Sequence, residues 1–225
     1  IVCRGEDIYL KMLMQDNLMH ADLHPGNILV DTSQQAQSAA HKVVLVDAGM
    51  VAQLVPEERK NFIGMLAAVG AGNGAEAAEC VLNFSASNTY SEETKSVFTA
   101  GVVEYFDTSC RGYGTDVDLG ETLRGILALC RIHKVSVSAN YATLIMNVLC
   151  LDGMASTLLP TYNILDGAKM FLSFYRFCAR KRCLPLVRFM VPLARRLKAR
   201  ADRKFLIREK KSRGMQTHAA LTNSR

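Results

Sequence analysis

The sequence predicts a mostly α-helical body with one small β-hairpin near its start. Three observations carry this. Beyond residue 50, apolar residues recur at helical spacing in segment after segment. Before it, Ile28-Leu29-Val30 and Val43-Val44-Leu45-Val46 are short, apolar, β-branched runs that read as two buried strands. Finally, 49% of the 225 residues are hydrophobic, enough for one sizeable core and, without an internal repeat, one globular body.

Asp7 to Asn17 reads as a helix, because Ile8, Leu10, Leu13 and Met14 share a face. A turn-prone segment, His20 to Asn27, follows and is broken by Pro25-Gly26. Between the two strands, Asp31 to Lys42 is polar and rich in Gln, Ser and Ala, the composition of a flexible hairpin insertion. Pro56-Glu57-Glu58 opens the next helix with Pro at its first position and acids in its first turn. Later helices are predicted over 75–84, 92–106, 119–133 and 140–157, with Ser91 and Asp118 as N-caps.

The seven cysteines are scattered, odd in number and free of any CxxC pair, which argues against a disulfide framework or a zinc ribbon. They read mainly as small buried hydrophobes. No secretory signal is visible at either end, and the longest apolar run, Tyr141 to Leu151, is shorter than a spanning helix of roughly 20 residues. The chain opens at Ile1 with its chemical motif about twenty residues in, so a fragment boundary is expected there.

Charge divides the chain. Residues 1–175 carry 11 Lys and Arg against 19 Asp and Glu, net −8, while residues 176–225 carry 16 against 2, net +14. An acidic body over 1–175 with a basic helical tail over 176–225 is the expected organisation.

The chemistry concentrates in His20-Ala21-Asp22-Leu23-His24-Pro25-Gly26-Asn27 and in Asp47-Ala48-Gly49. An Asp and an Asn five positions apart, a strand pair, and a second Asp before Gly form the skeleton of a kinase catalytic loop and metal-binding turn. Phosphoryl transfer needs a carboxylate to orient the nucleophile and accept its proton. It also needs hard oxygen ligands to hold Mg²⁺ against the phosphates. Asp-x-x-x-x-Asn alone is common and weighs little; its combination with the strands and the DxG turn is far rarer. A metal-hydrolase reading of His20, Asp22 and His24 would need further ligands, and His41, His133 and His218 form no ligand-like pair.

HADLHPGNILV closely resembles the HADxHPGN motif of the aarF-domain (UbiB) family of atypical kinases. VLVDAGMVAQL with PEERKNF resembles that family's metal-binding turn and following helix, and LCLDGMASTLLPTYNIL resembles its Leu–acid–Gly helix end. The resemblance spans roughly residues 5–172, and the DAG turn in place of DFG is most like the family's mitochondrial members. It implies the C-terminal lobe of a protein-kinase-like fold, with the ATP-clamping N-terminal lobe as an absent partner supplied by the same protein. It further implies ATP and Mg²⁺ as cofactors, a link to coenzyme Q or lipid metabolism, and a mitochondrial setting. Residue by residue, it puts Asp22 at the catalytic position, Asn27 and Asp47 at the metal and nucleotide ligands, and His20 at the structural His of the loop. His24 belongs to the motif and is expected to pack or hydrogen-bond within the turn. Gly26 and Gly49 are expected where backbone bends tightly near phosphates.

The departures from ordinary protein kinases are informative. Ala21 removes the Arg that would pair with an activation-loop phosphate, and Ala48 removes the switching Phe. Only eight residues separate Asp47 from Pro56, leaving no evident platform for a peptide, so protein phosphorylation is not the expected activity. Without an N-terminal lobe to supply a Lys and a phosphate-covering loop, the 225 residues alone are not expected to catalyse. Two alternatives stand beside the family reading: a small-molecule phosphotransferase of the aminoglycoside or choline kinase type, and a nucleotide-binding pseudokinase scaffold. In the tail, a helix is predicted from Pro192, with Leu193, Leu197, Ala201 and Phe205 as a narrow apolar stripe amid Lys and Arg. A solvated helix is the plain reading, an anionic membrane surface is the favoured partner, and nucleic acid is disfavoured because only Phe205 could stack.

Overall fold

The computed structural model describes residues 1–31, 42–84, 90–115, 117–180 and 185–223, with side chains described through most of them. The polar insertion expected between the strands lies outside the described residues. The elements are α1 (Val2–Lys11), a π-helical turn (Met12–Asp16), β1 (Met19–His20), a 3₁₀ turn (Pro25–Asn27), β2 (Ile28–Asp31), β3 (Lys42–Leu45) and β4 (Val51–Ala52). Seven helices follow: α2 (Pro56–Gly70), α3 (Gly74–Asn83), α4 (Glu92–Ser109), α5 (Leu119–Ile132), α6 (Ala139–Leu158), α7 (Ile164–Arg180) and α8 (Pro185–Asn223). The body is mostly α with a small antiparallel β element, as predicted.

β2 and β3 pair antiparallel with Ile28 opposite Leu45, which sets Asn27 and Val46 side by side at the ladder's end. The second ladder, β1 with β4, was not anticipated: two residues on each side give no readable alternation. It pairs His20 with Val51 and so ties the loop before Asp22 to the segment after Asp47.

Local sequence chemistry explains most helix starts. Ser91 and Asp118 cap α4 and α5, accepting from the Thr94 and Glu121 N–H groups at 3.2 and 2.7 Å. Pro56 opens α2, where the Glu58 carboxylate accepts from the Val55 N–H at 3.1 Å. One face of each helix meets a core that includes Phe62, Phe98, Phe106 and Phe171, and the rings of Phe84 and Tyr141 stack at 3.7 Å between centroids.

Two expectations are corrected here. The first helix starts at Val2 rather than Asp7, and Tyr9, Leu10, Leu13 and Met14 are fully buried within the body. In addition, α6 extends past the apolar run Tyr141–Leu151 and, at 20 residues, is long and apolar enough to cross a membrane by length and composition. Leu144, Ile145 and Val148 bury one face of it in the core, where it packs on α1 and α5.

The tail is also corrected. Its helix begins at Pro185, so Pro192 lies inside it rather than at its first turn. The buried stripe is Val191, Ala194 and Lys198, whereas Leu193 and Leu197 face outward. Specific charges decide the rotation. Arg195 grips Asp7 through two bonds at 3.0 and 2.8 Å. Lys198, itself 3% exposed, donates to Asp202 at 2.7 Å and Tyr162 at 3.2 Å and pairs with Glu6 at 3.1 Å. Burial would strip the Lys198 proton, but the Glu6 and Asp202 carboxylates outweigh it and hold the ammonium above the usual lysine range.

Glu6 shows the reverse balance. Burial pushes its carboxyl from 4.5 up to about 7, against the opposing pull of Lys198 and the Tyr162 hydroxyl. Between those pH values the unfolded chain releases this proton while the folded chain keeps it, so stability falls as pH rises across that window. Denaturant unfolding across pH 4.5–7 will show a shallower fall in Glu6→Gln than in the unsubstituted protein; identical pH slopes overturn this assignment.

Candidate functional site

The site grows from the loop between β1 and β2. His20 is 5% exposed, and its ring joins two segments: Nδ1 accepts from the Asp22 N–H at 3.2 Å while Nε2 donates to the Val46 carbonyl at 3.0 Å. With Nδ1 engaged as acceptor, the neutral ring carries its proton on Nε2. His20 thus fastens the Asp22 loop to the strand end that leads into Asp47.

Asn27 closes the same loop from its far side. Its Nδ2 donates to the Asp22 carbonyl at 2.9 Å and lies 3.5 Å from Asp22 Oδ2, and its own carbonyl accepts from the Val46 N–H at 3.0 Å. The amide nitrogen is committed to the loop, so the side-chain oxygen is the atom left to face a cation. The Asp22 carboxylate is half-exposed. Asp47, exposed, follows directly on Val46.

His24 caps the 3₁₀ turn, its Nδ1 accepting from the Gly26 N–H at 3.1 Å. Its Nε2 stands 3.7 Å from Asp22 Oδ2, too far for a direct hydrogen bond. Gly26 is needed because a Cβ there would lie 2.8 Å from the His24 ring. At the DAG turn the strained residue is Asp47 itself, left-handed with φ 55°, while Gly49 would set a Cβ 3.2 Å from Asp47 Oδ1. The sharp bend expected of Gly49 is thus made by Asp47, and Asp tolerates it better than most residues do.

A residue that the sequence did not single out holds the loop from below. Asn147 on α6 is 3% exposed, donates to the His20 carbonyl at 2.7 Å and accepts from the Leu23 N–H at 3.2 Å. Its signal was a lone Asn within the run Leu144–Leu151, 127 residues from its partner. Nearby on α6, Asp152 accepts from the Gly120 N–H at 3.2 Å, and burial, with Asp118 adding to it, raises its carboxyl.

Asn27 and Asp47 offer amide and carboxylate oxygens, the hard donors that Mg²⁺ prefers. Among the described residues no three His, Cys, Asp or Glu converge as a metal cage.

Residues 1–81 match the family described as ABC1 atypical kinase-like domain. The chain is 24% identical to the probable serine/threonine-protein kinase abkC of Dictyostelium discoideum, over 75% of this chain and 33% of that protein. It is 25% identical to a mitochondrial ABC1 family protein of Schizosaccharomyces pombe, over 87% of this chain and 33% of the relative. A probable protein kinase UbiB of Pseudomonas fluorescens is also 25% identical, over 75% of this chain and 31% of the relative. The chain thus spans about a third of the length of these relatives. No solved structure matches it.

Proposed function

We propose that the chain carries an atypical kinase-like domain of the ABC1 family, whose model residues 1–81 match, and that it is the lobe that positions the catalytic carboxylate and Mg²⁺ in an ATP-dependent enzyme. Asp22 orients and deprotonates the acceptor, Asn27 and Asp47 hold Mg²⁺ against the nucleotide, and His20 keeps the two segments in register. The observation that carries this reading is the closure of the loop on the strand end. Asn27 bonds the Asp22 backbone on one side and the Val46 N–H on the other, one residue from Asp47. An N-terminal lobe in the same protein would cover the phosphates. Titrating ATP into the full-length protein with and without Mg²⁺ tests the reading, and binding indifferent to Mg²⁺ overturns it.

The family's relatives from Schizosaccharomyces pombe and Saccharomyces cerevisiae are named as mitochondrial, and by that resemblance this protein is mitochondrial. The acceptor we propose is a small molecule linked to coenzyme Q or lipid metabolism. The short connection between Asp47 and α2 favours it over a peptide, since it leaves little surface on which an extended chain could lie.

The outward face of α8 supports an anionic membrane as partner. Leu193, Leu197, Leu206 and Ile207 are 41–59% exposed, interleaved with exposed Arg196, Arg200, Arg203, Lys204 and Arg208. Removing the whole helix would strand Glu6 and Asp7 without Lys198 and Arg195, so charge reversal is the cleaner test. With basic residues contributing roughly 1 kcal/mol each at such a surface, Arg200→Glu, Arg203→Glu and Lys204→Glu together will weaken sedimentation with cardiolipin-containing liposomes about 100-fold. Equal sedimentation of both proteins at low salt makes α8 a plain soluble helix.

A further inference from the structure

Only one nitrogen of the His24 ring serves the turn that follows it: Nδ1 accepts from the Gly26 N–H at 3.1 Å. With Nδ1 as acceptor, the neutral ring carries its proton on Nε2, which stands 3.7 Å from Asp22 Oδ2. The turn holds the ring in this place. The His24 carbonyl accepts from the Asn27 N–H at 2.9 Å, and Pro25 restricts the backbone between them. Gly26 leaves the ring its space, since a Cβ there would lie 2.8 Å from His24 Cε1. A turn that needed only a cap could take Asn, Asp or Ser, whose side chains satisfy an N–H two positions on. An imidazole adds a second nitrogen, and here it is beside the carboxylate. Asn27 Nδ2 lies 3.5 Å from the same Oδ2. Oδ2 is thus flanked by two N–H donors, while among the described residues none addresses Oδ1.

We propose that His24 is a positioning residue for Asp22: its Nε2–H, together with Asn27 Nδ2, fixes Oδ2 and leaves Oδ1 to take the acceptor's proton. The inference rests on the proposed role of Asp22 as the base. Oδ1 gains the proton as the acceptor oxygen bonds to the γ-phosphorus and ADP leaves with the electrons of the broken P–O bond. His24 acts through Asp22 and exchanges no proton itself. Both side chains are half-exposed. With the ring held by its turn, a small rotation of Asp22 closes the gap to the 2.7–2.9 Å or so of a charge-assisted bond. Bonds of this kind are often long in a free site and tighten when substrate binds. A half-exposed carboxylate without such donors samples several rotamers, and each unproductive one takes the base away from the acceptor.

Two substitutions separate the two nitrogens of the ring. His24→Asn keeps an acceptor for the Gly26 N–H and loses the distant donor; His24→Gln keeps a donor at the reach of Nε2 and loses the cap. Both are made in the full-length protein, and single-turnover phosphate release from Mg-ATP is measured per folded molecule. His24→Asn lowers turnover about 10- to 100-fold, the scale of a misaimed catalytic group, and leaves Mg²⁺-dependent ATP binding as it was. His24→Gln recovers most of that turnover, although its turn is less stable. In an Asp22→Asn background, His24→Asn has no further effect, because the group it positions is already gone. A role confined to the turn predicts the opposite order, with Asn active and Gln impaired. Full turnover in His24→Asn, a His24→Gln no faster than His24→Asn, or additive losses in the double variant overturns the inference. Asp22→Asn alone distinguishes the two levels. If it is slow while His24→Asn is not, only the role of His24 is lost; if it keeps full turnover, the base assignment fails and this inference with it.

Discussion

Asp47→Asn in the full-length protein abolishes Mg²⁺-dependent ATP binding, whereas Asp22→Asn leaves that binding in place and lowers turnover about 10²- to 10⁴-fold. The two carboxylates stand in different positions. Asp47 follows directly on Val46, whose N–H donates to the Asn27 carbonyl, so on the proposed reading it would offer the cation, with Asn27, its one full negative charge. An amide of the same shape keeps an oxygen donor but removes that charge, and a dication held by so few side chains does not tolerate the loss. Asp22 instead projects half-exposed from a loop whose backbone is held by His20, Asn27 and Asn147. Its replacement by Asn removes the proton acceptor while the loop keeps its shape. Nucleotide titration with and without Mg²⁺ separates the two variants, and single-turnover phosphate release measures the second. Unchanged Mg²⁺-dependent binding in Asp47→Asn removes the metal assignment, and unchanged turnover in Asp22→Asn removes the base.

Asn147→Ala destabilises the protein by roughly 2–5 kcal/mol and misaligns the loop. The substitution leaves two backbone groups, the His20 carbonyl and the Leu23 N–H, without a partner in a buried setting. Stranding a buried polar group costs about 1–3 kcal/mol, and the missing side-chain volume adds a smaller amount. Asn147→Asp keeps the acceptor for Leu23 but loses the donor to His20 and buries a charge, so it is no rescue. Denaturant unfolding reads the stability change directly. Turnover per folded molecule should fall about 10- to 100-fold as well, because the loop backbone that aims Asp22 is no longer held. A variant as stable and as active as the original would make the Asn147 bonds incidental.

Much of this protein was legible in its sequence. The catalytic-loop and DxG motifs are short and local, their spacing is set by one hairpin, and Pro, Gly and Asp carry the turns in side-chain chemistry that needs no distant partner. The same holds for the helices begun by Pro56, Ser91 and Asp118, where the cap is within three residues of the group it satisfies.

What the tertiary structure decided are the features whose partners lie far away in the chain. Asn147 reads as an interruption in an apolar run until α6 is laid beneath the loop, 124 residues from Leu23. The face of α8 that turns inward could not be read from apolar spacing, because Lys198 is buried by Glu6, Tyr162 and Asp202 while Leu193 and Leu197 stay outside. Hydrophobic periodicity assumes that charge faces water; here paired charges and hydrogen bonds offset the desolvation of a lysine, and the helix turned accordingly. Likewise Glu6 and Tyr9 read as ordinary positions on an amphipathic helix, and only the packing of α1 against α6 and α7 buries them. Local motifs therefore announced the His20–Asn27 loop and the Asp47 turn, while the supports beneath and beside them came from contacts that no window of sequence contains.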